Sequence, residues 1–206
     1  MMSEKFSEIY TKNIWGSSGS GSKFSPDNKW FLNELRNVID NYNIKNIADL
    51  GCGDWEIMKH FNFNEDEKYT GIDCVDFLID GHIQNYSTPQ VSFKCEDISQ
   101  DIPKGYDLVI IKDVLQHHDD NSAIATLNQL LKYNKYVYCI NGFKFMRDPT
   151  KNNWKKRVLD KKYSYHPISF DIAPFTQFKN YFTEVKTRRA KQYIILHKPN
   201  ELPLYN

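Results

Sequence analysis

Residues 47 to 55, Ile47-Ala48-Asp49-Leu50-Gly51-Cys52-Gly53-Asp54-Trp55, decide how this chain is read: an apolar run ends in an acid, and two glycines then flank one residue. The pattern predicts a buried strand over 46–50 that stops at a ligand-facing turn. Gly51 and Gly53 permit the positive φ and close backbone approach that such a turn requires, and the turn is expected to feed a helix whose first N–H groups point at the ligand. Tyr69-Thr70-Gly71-Ile72-Asp73 reads as a second strand ending in an acid, twenty residues beyond Gly53. A carboxylate at that spacing meets ribose hydroxyls, so the two stretches together imply a nucleoside-bearing ligand.

Details of the turn narrow the ligand. A dinucleotide site needs a third glycine three residues after the second to cradle a pyrophosphate, whereas this chain has Glu56 there, and a glutamate repels phosphate. Asp49, at the strand end, suits an ammonium group. S-adenosylmethionine brings a ribose, an adenine, an amine and a sulfonium, and it fits where a nicotinamide dinucleotide does not.

With these stretches in place, the sequence resembles the class I S-adenosylmethionine-dependent methyltransferases. Asp49-Leu-Gly-Cys-Gly53 is similar to their first motif, Gly71-Ile-Asp73 to the ribose-binding acid, and Cys95-Glu-Asp97-Ile98 to the acidic turn that contacts adenine. Tyr106 to His118 looks like their fourth motif, a strand followed by a substrate-facing loop and helix. The resemblance spans roughly residues 30 to 198. It implies a Rossmann-like three-layer α/β sandwich with a mostly parallel seven-stranded sheet and a C-terminal antiparallel hairpin. It also implies a cofactor site built from Asp49, Gly51, Cys52, Gly53, Trp55, Asp73, Cys74, Asp97 and Ile98, joined by Lys112 and Asp113. Trp55 is a departure, standing where the family often carries a third glycine.

Apolar periodicity supports that architecture. Strands are expected near 46–50, 69–73, 91–94, 106–111 and 135–140, with a helix after Ser25-Pro26-Asp27 and another over 122–133 whose stripe is Ile124, Leu127, Leu130 and Leu131. Residues 182–188 and 192–197 read as the hairpin, turning near Ala190. At 206 residues and 40% hydrophobic, the chain can bury one substantial core. Lys plus Arg number 27 against 26 acids, so net charge gives no argument for nucleic acid or an anionic membrane. Without a spanning-length apolar run or an apolar leader, the chain is expected to be cytoplasmic. Cys52, Cys74, Cys95 and Cys139 form no Cys-x-x-Cys pair and are expected to pack as small buried thiols near strand ends.

Residues 25–206 are expected to form the methyltransferase domain, and two segments stand outside the expected core, one before that domain and one inserted in it. Residues 1–24 carry a Gly/Ser-rich run after an amphipathic stretch, and read either as a linker or as a lid whose Trp15 covers the cofactor. Residues 143–178 form an insertion rich in positive charge between 144 and 162, either a solvated face or a docking surface for phosphate, a nucleotide-sugar or RNA. Lys144, Arg147, Tyr165 and Asp171 are its candidate acceptor contacts.

For catalysis, methyl transfer needs positioning and, at a hydroxyl, a base. Asp113, His117 and His118 are the candidates, His117 doubling as a substrate contact; Asp113 and His117 share a face if a helix begins directly after the strand. Asp113 alternatively caps that helix. The run Asp113, His117, His118, Asp119 and Asp120 does not form a coherent metal-ligand set, so no metal is expected. Nothing resembling Asn-Pro-Pro-Tyr occurs at 112–116, which leaves an oxygen acceptor favoured over an amine, and resemblance to small tailoring enzymes points to a sugar or glycan hydroxyl. RNA or protein methylation through the basic segment, and a non-catalytic cofactor-binding partner subunit, are the alternatives.

Overall fold

The computed structural model describes residues 2–19, 21–142, 168–188 and 191–197. The chain divides into two compact units, Met1–Asp101 and Ile102–Asn206.

In the first unit, α1 (Met2–Thr11) and α2 (Pro26–Asn41) precede β1 (Asn46–Leu50), β2 (Lys68–Asp73), α3 (Asp76–Tyr86) and β3 (Val91–Cys95). The three strands are parallel in the order β3-β2-β1, with Asp49 opposite Gly71 and Asp73 opposite Cys95. Helix α2 starts where its sequence signals place it: the Ser25 hydroxyl accepts the Asn28 N–H at 3.3 Å and Pro26 occupies the first turn. Its inner face is Phe31, Leu32, Leu35, Val38 and Ile39.

The second unit contains β4 (Leu108–Lys112), α4 (Asp120–Tyr133), β5 (Tyr136–Gly142), β6 (Phe182–Arg188) and β7 (Lys191–His197). Strands β4 and β5 are parallel, and β7 runs antiparallel between β5 and β6. The expected terminal hairpin is thus present, with a β-bulge between Phe182 and Glu184. Along α4 the buried stripe is Ala123, Thr126, Leu127, Leu130 and Leu131, with Ile124 half-buried at its edge.

Four expectations are corrected. No α-helix follows the glycine turn: residues 54–67 make turns and one 3-10 turn, Met58–His60, because Trp55 takes a left-handed backbone, φ 56°, that cannot propagate a right-handed helix. No helix follows β4 directly either. Asp113 is also left-handed at φ 60°, a 3-10 turn spans Leu115–His117 and α4 begins only at Asp120, so Asp113 and His117 are not helical i,i+4 neighbours. The far end of the basic insertion belongs to the core, since Phe170, Phe175 and Phe178 are buried against one another. Among the cysteines, Cys95 is exposed: it shares the strand parity of buried Val91 and Phe93, but the cover over that face ends before the last residue of β3.

A buried ion pair anchors the irregular stretch before β2. Both carboxylate oxygens of Glu67, 1% exposed, accept from Arg36 at 2.7 and 3.0 Å, and the Asn64 N–H and side-chain amide each add a bond at 2.9 Å. Burial pushes the Glu67 carboxyl up, and the Arg36 and Asn64 hydrogen bonds outweigh it, holding the group below the ordinary carboxylate range. An acid whose folded pKa is depressed contributes stability that is complete above its unfolded value and is lost as pH falls through the folded one. Arg36→Ala, which strands Glu67 without its cation, is expected to cost about 3 kcal/mol in urea unfolding at pH 7, and the deficit should shrink below pH ~4.

Candidate active site

The first unit carries three carboxylates on the carboxyl ends of adjacent parallel strands or the loops that leave them. Asp73 ends β2 and is buried, with Oδ2 accepting the Gly53 N–H at 3.0 Å and Oδ1 the Val75 N–H at 3.1 Å. Burial raises its pKa above the ordinary carboxylate value, and those backbone donors only partly offset it. Asp49, also buried, accepts the Tyr69 hydroxyl at 2.7 Å on Oδ2. Asp97 follows β3, where Oδ1 accepts the Ser99 N–H at 3.0 Å and hydroxyl at 2.7 Å, while Oδ2 is buried with no hydrogen-bond partner. Ile98 beside it is half-buried.

The glycine turn is packed from above by the N-terminal segment. Gly51 and Gly53 have φ of 69° and 57°, and a Cβ on Gly53 would meet the Ser18 hydroxyl oxygen at 2.5 Å and the Tyr10 hydroxyl at 3.0 Å. Conformation and space therefore both require glycine at position 53. Ser18 and Asp54 bond reciprocally: the Asp54 N–H donates to Ser18 Oγ at 2.8 Å, and the Ser18 N–H donates to Asp54 Oδ2 at 3.2 Å. Ser17 Oγ adds a further bond to that carboxylate, and Tyr10 Oη lies 2.5 Å from Ser18 Oγ. Burial, reinforced by the nearby Asp73 charge, pushes the Tyr10 phenol up, so it stays protonated. Trp15 is half-buried and meets Phe6 edge to face at 6.0 Å.

Trp55 fills the place of the missing glycine from the inside. Its indole is 7% exposed among Tyr69, His82, Tyr86 and Phe93, and its Nε1–H donates to Tyr69 Oη at 3.1 Å. His82 Nε2 lies 2.7 Å from the Gly53 carbonyl oxygen and donates to it. Burial pushes the Cys52 thiol well up and the Cys74 thiol up to about 12, so neither is a nucleophile near neutrality. Carboxylates on three neighbouring strands, one with an orphan oxygen, match a ligand rich in hydroxyl and amine donors, and they repel a pyrophosphate.

In the second unit, Asp113 is held between two lysines. Lys112 Nζ is 2.9 Å from Asp113 Oδ2, and Lys191 Nζ bonds to the same oxygen from the start of β7. Burial pushes the Asp113 carboxyl up, and the Lys112 and Lys191 ammoniums overcome it, holding the group below the usual range. Burial and the Lys112 charge pull the Lys191 ammonium down, against Asp113. A carboxylate so stabilised is a weak proton acceptor. His117 and His118 are both buried, on the 3-10 turn and at its end. Asp119 caps α4, accepting the Ser122 N–H at 2.9 Å, and among the described residues no cluster of three metal-ligating side chains occurs. Asp171 is exposed and accepts Gln192 Nε2 at 2.8 Å. Lys144, Arg147 and Tyr165 lie outside the described residues.

Sequence reasoning missed Tyr10, Ser18, Asp54, His82 and Lys191. Tyr10 and Ser18 sit in or beside the Gly/Ser run, where the only signal was the hydroxyls themselves, and Asp54 sits in the glycine turn thirty-six residues from Ser18; Lys191 is 78 residues from its partner, and no local pattern links them.

No protein-family model matches the sequence, and no curated protein matches it. Solved structures do match. The methyltransferase domain of bacterial CtHen1 superposes with a TM-score of 0.60 at 16% identity, covering 83% of this chain and 99% of that one. The N-methyltransferase NodS from Bradyrhizobium japonicum WM9, in complex with S-adenosylhomocysteine, gives 0.59 at 12% identity over 85% and 89% of the two chains. Magnesium protoporphyrin IX methyltransferase from Synechocystis PCC 6803, with the same ligand bound, gives 0.55 at 15% over 82% of each. The chain has the methyltransferase fold. No helix among the described residues is long and apolar enough to cross a membrane.

The Lys112–Asp113–Lys191 cluster makes Asp113 a structural as well as a chemical residue. Asp113→Asn leaves two partly buried ammoniums facing a neutral amide and is expected to cost about 2–4 kcal/mol in urea unfolding at pH 7. Adding Lys191→Met to that variant should recover part of the loss, because it removes one of the stranded charges.

Proposed function

We propose that the chain is an S-adenosylmethionine-dependent methyltransferase acting on a hydroxyl of a sugar or glycan. The observation that carries the donor half is the buried Asp73 carboxylate, held by the Gly53 N–H at the mouth of the glycine turn. Bound there, the cofactor supplies an electrophilic methyl group on a sulfonium. In this reading Asp73 accepts the ribose hydroxyls, and Asp49 accepts the amine. The orphan oxygen of Asp97, with Ile98, takes the adenine edge. Gly51, Cys52 and Gly53 contribute backbone, while Trp55 and Cys74 close the walls. Trp15, on a segment latched to Asp54 through Ser17 and Ser18, excludes water as a lid.

The acceptor half rests on the second unit. His117 or His118 takes the hydroxyl proton, imidazole being the side chain whose chemistry suits that task. Asp113, already ionised and paired, holds Lys112 and Lys191 in place rather than accepting the proton. Lys144, Arg147, Tyr165 and Asp171 are assigned to acceptor binding. A second reading, an RNA or protein acceptor docked through residues 144–162, is favoured by their local positive charge, and it predicts affinity that falls steeply with salt.

Calorimetric titration with S-adenosylhomocysteine tests the donor half. The native chain should bind, and Asp73→Ala should lose about 1.5–3 kcal/mol, the range for hydrogen bonds to a charged group. Because the Asp73 pKa is raised, native affinity should begin to fall at a higher pH than an ordinary carboxylate would dictate, and that acidic limb should vanish in the variant. Absence of binding by the native chain would overturn the proposal.

A further inference from the structure

The series Trp55–Tyr69–Asp49 has a polarity that its chemistry dictates. An indole Nε1–H can only donate, and an ionised carboxylate can only accept. Tyr69 Oη stands between them, 3.1 Å from Trp55 Nε1 and 2.7 Å from Asp49 Oδ2, so its own proton must point at Asp49. The rotor that a tyrosine hydroxyl usually retains is thereby removed. All three groups are nearly buried, at 7%, 1% and 6% exposure, so water does not compete for these bonds.

Tyr69 pairs with Ile47 in the sheet, not with Asp49, so its ring leans along β1 past one pair to reach the carboxylate from the side. Trp55 delivers its N–H from a left-handed backbone, at a position where a glycine would carry no side-chain donor. Burial and the Asp49 charge both push the Tyr69 phenol up, so the hydroxyl remains a donor throughout the neutral range.

We propose that Tyr69, oriented by Trp55, is a positioning residue that fixes the rotation of the Asp49 carboxylate for the amino-acid end of the cofactor. The inference rests on the donor site proposed above. It explains the departure at position 55: the tryptophan replaces a glycine's freedom with a donor that acts on the amine-binding acid at one remove.

Titration with two ligands separates positioning from structure. S-adenosylhomocysteine carries the amine, whereas 5′-methylthioadenosine has the same nucleoside and thioether without the amino acid. Tyr69→Phe keeps the ring and deletes the hydroxyl. It should weaken S-adenosylhomocysteine about tenfold, the scale of one hydrogen bond to a charged group, and leave 5′-methylthioadenosine within about twofold. Trp55→Phe should act in the same direction with a smaller loss. In an Asp49→Asn background, Tyr69→Phe should cost nothing further for either ligand. Equal loss for both ligands, or none for S-adenosylhomocysteine, would overturn the inference while the native protein's binding leaves the cofactor reading intact. Failure of the native chain to bind either ligand would instead remove the donor site, and the inference with it.

Discussion

The structure turns on the backbone of one residue, Gly53, whose N–H is bound by Asp73 at 3.0 Å and whose C=O receives His82 at 2.7 Å. A buried carboxylate must be saturated with donors or lose its charge, and a buried carbonyl must find one. Fixing both ends of a single residue satisfies the two demands together and locks the turn after β1 to the end of β2 and to α3. Everything stacked on the turn inherits that rigidity. Ser18 bonds the Asp54 N–H one residue on, and Tyr10 and Ser18 fill the space that any side chain at position 53 would need.

Trp55 shows how a motif can lose a glycine and keep its backbone. A left-handed non-glycine residue costs about 1–2 kcal/mol. Against it stands the burial of an indole among Tyr69, His82, Tyr86 and Phe93, worth about 3 kcal/mol for a side chain of this size, together with its bond to Tyr69. The balance favours the conformation, and the same backbone turn forbids the helix that the sequence pattern led one to expect after residue 53. The lost helix N-terminus would have aimed N–H groups at an anion. The three carboxylates of the first unit suit the opposite kind of ligand.

Strand β4 was legible as a contiguous apolar run closed by a polar residue, while β3 and the hairpin strand β6 interleave apolar with polar residues and were legible from that short period; β1, β2 and β3 fall within a residue or so of where the patterns end. Where the reading failed, the decisive interaction was either a backbone sign or a distant partner. Nothing in the letters around Trp55 announces a positive φ, and aspartate, although enriched among left-handed residues, is right-handed or extended in most of its positions, so Asp113 gives no firm signal either. Nothing in Lys191 announces Asp113. The Gly/Ser run reads as slack by composition, yet Ser17 and Ser18 are bound to Asp54, because hydroxyls in such a run can satisfy a turn thirty-six residues away.

Charge divides along the same line as the two units. In the first, Asp49, Asp73 and Asp97 stand on neighbouring strand ends and present acceptors. In the second, two ammoniums converge on one carboxylate oxygen, leaving positive charge in excess, and residues 144–162 carry the same sign in sequence. A sulfonium donor with an amine is cationic and belongs with carboxylates; an acceptor bearing a negative group belongs with lysines. Asp113 makes the second arrangement stable, since its ionisation offsets the repulsion between Lys112 and Lys191, and that pairing in turn holds its left-handed backbone in place. A carboxylate committed in this way has no proton affinity to spare near neutrality. On the reading proposed above, the acceptor's proton goes to the buried imidazoles of His117 and His118, and the lysines attract the acceptor.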